Sequence, residues 1–275
     1  MSDGTLSPTP ETPPYALTIA STDSGGGAGI QADLKTMTRL GVYGGSVIIG
    51  VTSQNTRGVA DTHVLPTETV RTQFDAVADD FDIGAIKLGM LATAEAVETV
   101  AECLSEYDAP TVVDPVMVAT SGDRLLDDDA IDAYDDIFAQ ATLVTPNADE
   151  AAELTGHVPD SPEAIREVAD WFFERGADAV LLKGGHVETG DGTVVDTLVT
   201  REETTTFTNP RVDTDRTHGS GCTLSSAIAA GLARGDDLET AVERGIEFTQ
   251  SALAAPADVG QGAGSVNHLA DFGDD

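Results

Sequence analysis

The sequence has few basic residues. Three lysines and eleven arginines face 48 acidic residues, and the formal net charge is −34. Nucleic-acid binding requires basic patches that neutralise phosphates, so we expect no nucleic-acid partner. The acidic residues are spread along the chain rather than gathered in one tail. This spread indicates a halophilic surface, because the Debye length falls to about 3 Å at 1 M salt and repulsion is screened. The alternative is simply a very soluble acidic protein.

Cysteines and long apolar runs are also scarce. The only cysteines, Cys103 and Cys222, form no Cys-x-x-Cys pair, which argues against a zinc site or a disulfide framework and fits a reducing cytoplasm. No apolar run approaches the roughly 18 residues of a transmembrane helix, so we expect no membrane association. Residues 1–14 lack the basic flank and apolar centre of a signal peptide, and we expect a disordered tail there.

The remaining chain, residues 15–270, is predicted to form one domain of the α/β class. Short apolar runs alternate with segments of helical periodicity, which predicts a three-layer α/β/α sandwich with a mostly parallel central sheet. A small antiparallel hairpin is predicted late in the chain, at residues 193–199 and 203–208. The predicted parallel strands are residues 15–20, 47–51, 85–88, 111–113, 143–145 and 179–182. The predicted helices include residues 69–77, 94–104, 130–138, 164–173, 222–234 and 238–253.

A run of small residues, 217–223, leads directly into an apolar helical pattern. Apolar residues recur every four positions from Leu224, which predicts a helix that begins near Gly221. Backbone N–H groups at a helix N-terminus bind anions, so residues 219–222 are predicted to hold a phosphoryl group. Cys222 in the first turn would have a lowered pKa and act as a base or nucleophile. The alternative is a buried, inert cysteine.

A second glycine-rich loop, residues 25–29, follows the first predicted strand. Residues 27–32 match Gly-x-Gly-x-x-Ala, a pattern of dinucleotide-binding loops. That fold also needs an acidic residue at the end of the second strand to bind the ribose, and residues 52–56 contain none. We therefore favour a loop that covers a small substrate over a nicotinamide-dependent oxidoreductase or a purely structural turn.

Polar residues follow several predicted strands, at the edge of a parallel sheet where ligands bind. Asp114 and Glu150 carry the oxygen ligands that Mg²⁺ prefers. Asn147 and Glu150 also have the spacing of a helix capping box, and the two roles are compatible. Lys183 is predicted to meet a phosphate, with a solvated lysine in a hairpin turn as the alternative. The other polar residues at strand ends are Asp23, Gln54 and Asn55.

Taken together, these motifs resemble the hydroxymethylpyrimidine/phosphomethylpyrimidine kinases of thiamine synthesis, a branch of the ribokinase-like fold. The resemblance covers about residues 16–268. Two departures are Ser21, where the family usually has glycine, and Ser265, where proline is common. The motifs that carry the resemblance lie at residues 16–20, 24–35, 41–44, 54–56, 87–91, 114–117, 145–151, 183–186 and 217–225.

The resemblance implies ATP-dependent phosphorylation of 4-amino-5-hydroxymethyl-2-methylpyrimidine and then of its monophosphate. It also implies a homodimer. A pyridoxal kinase of the same fold is the nearest alternative, and a non-catalytic nucleotide-binding regulator is a more distant one. The residues implied to line the pyrimidine pocket are Ala28, Asp33, Gln54 and Met90. Those implied to bind ATP are Asn147, Lys183, Thr217, Gly219 and Gly221, and those implied to bind Mg²⁺ are Asp114 and Glu150. The residues implied to act in catalysis are Gly219, Ser220, Gly221 and Cys222, with Cys222 in the position of the base.

Overall fold

The computed structural model describes residues 11–116, 133–186, 192–262 and 264–272. Most of the predicted tail and the first part of the predicted helix 130–138 lie outside these residues. The strands are β1 (Tyr15–Ala20), β2 (Tyr43–Ile48), β3 (Gly50–Asn55), β4 (Gly58–Val64), β5 (Ala85–Leu88), β6 (Thr111–Val113), β7 (Leu143–Val144), β8 (Ala179–Leu182), β9 (Thr193–Thr200) and β10 (Thr204–Pro210). The helices are α1 (Gly29–Arg39), α2 (Thr67–Ala78), α3 (Ala94–Ser105), α4 (Asp135–Phe138), α5 (Ala148–Thr155), α6 (Pro162–Glu174), α7 (Ser220–Ala233) and α8 (Leu238–Ala254).

The central sheet has eight strands in the order β10-β9-β8-β7-β6-β5-β1-β2. Six neighbouring strands of this sheet, β8, β7, β6, β5, β1 and β2, are parallel to one another. Strand β9 is antiparallel to β8, and β10 is antiparallel to β9. The predicted α/β sandwich and the predicted late hairpin are therefore confirmed. The hairpin does not stand apart, however, because β9 pairs with β8 and extends the main sheet.

A second, two-stranded antiparallel sheet, β3 and β4, was not predicted. The predicted strand 47–51 crosses the boundary between two sheets: Ile48 ends β2 and Gly50 begins β3. Most residues of β4 are exposed, so the strand has no apolar face that a sequence pattern could reveal. This small sheet carries Gln54 towards the edge of the main sheet where the parallel strands end.

Helices cover both faces of the main sheet. On one face α2, α3, α4 and α6 bury apolar side chains against β1, β5 and β6, including Phe74, Val97, Phe138 and Phe172. On the other face α7 and α8 cover a separate apolar cluster that includes Val112, Leu143 and Leu181. Helix α7 is built mostly from small residues, so it packs closely against α8. An added Cβ at Gly245 would lie only 2.7 Å from the Ile228 side chain. Among the described helices, none is long and apolar enough to cross a membrane.

Candidate active site

The loop before α7 has the geometry of the predicted phosphate-binding site. The helix begins at Ser220, and Gly219 caps it in the left-handed conformation, with φ +81°. An added Cβ at Gly219 would lie 1.8 Å from the carbonyl oxygen of Gly27, so only glycine fits there. The first turn contains Ser220, Gly221 and Cys222, as predicted. Their assignment to a phosphoryl group stays a prediction.

The predicted low pKa of Cys222 is wrong. Burial raises the pKa of the Cys222 thiol to about 11. Lys87 opposes the shift, whereas the nearby charges of Asp33 and Asp114 add to it. The helix N-terminus does not offset these effects, so Cys222 is a neutral thiol at pH 7.

Lys183 lies between two acidic side chains. Its Nζ is 2.8 Å from Asp114 Oδ1 and 3.5 Å from Glu150 Oε2, and its side chain is 14% exposed. The alternative of a solvated lysine in a hairpin turn is therefore wrong. Burial lowers the pKa of Lys183, but the two carboxylates outweigh burial and raise it. An added Cβ at Gly221 would lie 3.2 Å from Asp114 Oδ2, so this cluster adjoins the first turn of α7.

Asn147 and Glu150 form the predicted capping box at the start of α5. The Asn147 side chain accepts a hydrogen bond from the Glu150 amide (2.9 Å), and Glu150 Oε2 accepts one from the Asn147 amide (2.8 Å). Asn147 also pairs with Lys183 in an isolated parallel bridge, which places both at the edge of the sheet. Burial, together with the Asp114 charge, raises the pKa of Glu150 even though Lys183 opposes the shift.

The side chains around Lys183 fit a magnesium ion that retains most of its water. Among the described residues, no group of three or more His, Cys, Asp or Glu side chains could hold a metal. Asp114 and Glu150 supply two carboxylates, and Mg²⁺ is often bound through one or two carboxylates and substrate phosphates. Within the described residues, the buried Tyr134 hydroxyl has no hydrogen-bond partner. Burial raises the pKa of Tyr134, and the charges of Asp114 and Glu150 raise it further.

The predicted pyrimidine-pocket residues lie around the first glycine-rich loop. Ala28 precedes α1 and Met90 follows β5, where the Met90 carbonyl accepts hydrogen bonds from the Ser21 amide (3.1 Å) and hydroxyl (3.2 Å). The side chain of Ser21, the departure from the family pattern, therefore donates a hydrogen bond to the backbone of Met90. Asp33 is fully buried, and its carboxylate accepts a hydrogen bond from Ser226 (2.6 Å).

The motif at residues 27–32 does not act as a dinucleotide cradle. The amides of Gly25, Gly27 and Ala28 donate to the Asp23 carboxylate at 2.8–2.9 Å. Because these three amides already donate to Asp23, they cannot also bind the pyrophosphate of a dinucleotide. This occupation agrees with the missing ribose acid and argues against a nicotinamide cofactor.

Asp23 also joins the two loops, a contact that the sequence did not predict. Asp23 Oδ2 lies 3.0 Å from His218 Nε2, and one end of the Gln54 amide lies 3.3 Å from the same nitrogen. Asp23 is 2% exposed. Burial raises its pKa, but hydrogen bonds from His218 and the loop amides outweigh burial and hold it below its usual value. Two sequence features could have indicated this contact: Asp23 lies just after β1, and the motif at residues 217–223 contains a histidine.

A family model described as phosphomethylpyrimidine kinase matches residues 23–267. The chain belongs to this kinase family. It is 47% identical to a Streptomyces coelicolor protein named hydroxymethylpyrimidine/phosphomethylpyrimidine kinase, over 94% of this chain and 96% of that one. The fold is similar to that of a phosphomethylpyrimidine kinase from Clostridium difficile (TM-score 0.76, 37% identity), which covers 87% of this chain and 99% of that one. It is also similar to a Bacillus subtilis pyridoxal kinase solved with ADP (TM-score 0.86, 32% identity), covering 94% and 98%.

Membership of the phosphomethylpyrimidine kinase family settles the class of enzyme. The chain is a phosphotransferase, and the alternatives of an oxidoreductase and of a non-catalytic regulator are wrong. The family match spans both glycine-rich loops, the capping box and the Lys183 cluster. The roles of individual residues within the kinase stay predictions.

Proposed function

We propose that the chain phosphorylates the hydroxymethyl group of 4-amino-5-hydroxymethyl-2-methylpyrimidine with ATP, and then converts the monophosphate to the diphosphate, in thiamine biosynthesis. The observation that carries this proposal is the contact of Gln54 with His218 beside the first turn of α7. It brings an amide suited to an aminopyrimidine next to a loop suited to phosphate. The name of the Streptomyces coelicolor relative supports the same substrate.

The Gln54 amide supplies the pyrimidine contact. An amide carries one acceptor and one donor side by side, so it can accept from the exocyclic amine and donate to the neighbouring ring nitrogen. Ala28 and Met90 lie on the loops that flank this position, and Asp33 lies buried beneath them. Binding the ring here directs its hydroxymethyl group towards Cys222.

The first turn of α7 supplies the charge stabilisation. Phosphoryl transfer passes through a loose transition state in which positioning and electrostatics matter more than a strong base. The amides of residues 219–222 and the positive end of the helix face the transferred group, and Thr217 and Asn147 lie near the ATP phosphates. Lys183 provides a fixed positive charge. Cys222 accepts the hydroxyl proton in its thiolate form, so turnover depends on pH.

Mg²⁺ fits at Asp114 and Glu150. When bound, Mg²⁺ neutralises negative charge on the phosphates of ATP. Asp114 also holds Lys183 at 2.8 Å, and the Glu150 carboxylate is fixed by its bond from the Asn147 amide. These residues therefore hold the positive charge of Lys183 and two carboxylates beside the first turn of α7.

A pyridoxal kinase activity is the second candidate, and the higher TM-score to the Bacillus subtilis pyridoxal kinase favours it. Both substrates are flat heteroaromatic rings with a hydroxymethyl group. The purified chain should be incubated with Mg-ATP and each alcohol, and the mono- and diphosphate products separated. Formation of the pyrimidine diphosphate supports the proposal. Phosphorylation of pyridoxal alone would replace it with the second candidate.

We further infer a homodimer in the cytoplasm, on the basis of the family resemblance and the scarcity of cysteine. Sedimentation of the purified chain at several concentrations tests the dimer. A single species with a mass near 28 kDa, the mass of one chain, would contradict it.

A further inference from the structure

We infer that His218 fixes the orientation of the Gln54 side-chain amide and so determines which hydrogen-bonding pattern of a pyrimidine the site accepts. The inference rests on the proposed function, because it concerns how the same pocket reads its substrate. It adds His218, on the loop before α7 and 164 residues from Gln54 in the sequence, as a specificity-determining residue.

The first step concerns the proton on His218. The Asp23 carboxylate accepts three backbone hydrogen bonds and is almost completely buried. An ionised carboxylate has no proton to donate. The 3.0 Å contact between Asp23 Oδ2 and His218 Nε2 is therefore a hydrogen bond only if Nε2 carries the proton.

The second step concerns the end of the amide that faces His218. One terminal atom of the Gln54 amide lies 3.3 Å from His218 Nε2. Because this nitrogen carries its proton, it has no lone pair with which to accept a hydrogen bond from an NH₂ group. Its one N–H points at acceptors only, and it can be shared as a bifurcated bond between Asp23 Oδ2 and the nearer atom of Gln54. The oxygen and nitrogen of an amide are assigned from their hydrogen-bonding partners. The atom that faces His218 is therefore the oxygen.

The opposite end of the amide gives the same answer independently. The other terminal atom of Gln54 lies 3.4 Å from Thr52 Oγ1. The Thr52 hydroxyl donates its only proton to the Thr22 carbonyl oxygen, at 2.7 Å. Towards Gln54 it can therefore only accept, and its partner is the NH₂ group. Both neighbours thus favour one orientation and oppose the reversed one.

The backbone of Gln54 is also held in place. The Ser24 hydroxyl donates to the Gln54 carbonyl oxygen (2.7 Å) and accepts from the Gln54 amide (2.8 Å). The register of β3 against β4 shifts between Ser53 and Gln54. Ser24 positions the whole residue but contacts neither end of its side chain, which makes Ser24 a matched control position.

The fixed orientation suits a 4-aminopyrimidine. His218 belongs to the loop that opens α7, so the oxygen of the Gln54 amide faces the side on which phosphoryl transfer occurs. The 4-amino group is the neighbour of the 5-hydroxymethyl group and meets that oxygen, while the ring nitrogen beyond it meets the NH₂ group. A 4-oxo analogue has an acceptor and an N–H donor in the reversed order, and would require the amide to turn.

The test compares kcat/KM for the 4-amino alcohol with that for its 4-oxo analogue. The His218→Phe variant keeps an aromatic ring but removes the donor, and Thr52→Val removes the acceptor at the other end. We expect the ratio of kcat/KM for the 4-amino alcohol to kcat/KM for the 4-oxo analogue to fall about fivefold or more in each variant. Each variant removes one neighbour that opposes the reversed orientation of the Gln54 amide, so the orientation that the 4-oxo analogue needs becomes less costly. Ser24→Ala should change both kcat/KM values together and leave the ratio unchanged.

The outcomes separate the two proposals. A ratio that stays unchanged in His218→Phe and Thr52→Val, with active wild-type enzyme, would overturn the role of His218 alone. Failure of the wild-type protein to phosphorylate the 4-amino alcohol would overturn the proposed function. If His218→Phe does not fold, Thr52→Val decides, because it changes the same amide from the other side.

Discussion

Lys87 Nζ lies 2.9 Å from each carboxylate oxygen of Asp33, and both side chains are fully buried. Asp33 also accepts hydrogen bonds from Thr18 and Ser226, at 2.6 Å each. Burial lowers the pKa of Lys87, but Asp33 outweighs burial and raises it. Lys87 therefore remains charged within the core, under the two loops of the site.

Lys87→Met should lower the free energy of unfolding by about 3–5 kcal/mol, because it leaves the Asp33 charge buried without its partner. Urea unfolding measures the change. Arg71→Met is the matched control, since it removes partly exposed pairs with Asp75 and Glu106 and should cost at most about 1 kcal/mol. A loss below 1 kcal/mol in Lys87→Met would show that the buried pair contributes little to stability.

Cys222→Ala should lower kcat about 10²–10⁴-fold, while the KM for ATP changes little, because the thiol acts on the substrate hydroxyl. With a pKa of about 11, the thiolate fraction of Cys222 rises tenfold per pH unit from pH 7 to 10. The wild-type kcat should therefore rise over this range, and that rise should be absent from the variant. Activity within about threefold of wild type would return Cys222 to a packing role.

Gln54→Leu should raise the KM for the pyrimidine at least about tenfold, since it leaves polar groups of the substrate unpaired at about 1–3 kcal/mol. Steady-state kinetics at saturating ATP measures the effect. Asn55→Leu provides a control at the neighbouring exposed position. An unchanged KM in Gln54→Leu would place this residue outside the pocket.

The buried His268 side chain should lower the free energy of unfolding at acidic pH. Burial lowers the pKa of His268 from 6.5 to about 4, and Lys35 adds to the shift. Between these values the unfolded chain binds a proton that the folded chain does not, so stability falls as pH drops from about 6.5 to 4. The loss is about 3 kcal/mol.

His268→Gln should remove this part of the pH dependence, measured as the free energy of unfolding at pH 7 and pH 4.5. His157→Gln is the control, because the His157 side chain is 49% exposed. Equal slopes in wild type and His268→Gln would mean that His268 titrates normally.

The acidic composition predicts that stability depends on salt. With 48 acidic residues against 14 basic ones, repulsion reaches across the surface at 0.01 M salt, where the Debye length is about 30 Å, but not at 1 M, where it is about 3 Å. The melting temperature and the turnover should both rise from 0.1 to 2 M KCl. A flat melting temperature over that range would contradict a halophilic surface and leave the kinase family unaffected.

Local spacing was sufficient to predict several parts of this protein. Four-residue periodicity after Leu224 predicted α7, and the interval between Asn147 and Glu150 predicted the capping box, because both depend on neighbours within one helix. The alternating strands and helices likewise predicted a mostly parallel sheet, although not the order of its strands.

Contacts between distant segments could not be predicted in this way. Lys183 pairs with Asp114 across 69 residues, and His218 meets Asp23 across 195. The pKa of Cys222 depends on burial and on the charges of Asp33 in α1 and Asp114 after β6, which outweigh the local effect of the helix N-terminus. Strand β4 was missed because most of its side chains are exposed, so its sequence carries no apolar pattern.

The covering of one sheet face by α7 and α8 has a consequence for protein synthesis. These helices come last in the sequence, whereas the strands whose apolar residues they cover include β5, β6, β7 and β8. A ribosome that has translated the chain as far as residue 210 has produced the sheet without its cover, and the first glycine-rich loop without the glycine-rich turn before α7. The nascent chain therefore exposes an apolar surface until α7 and α8 have been made, and the two loops of the site cannot meet before then.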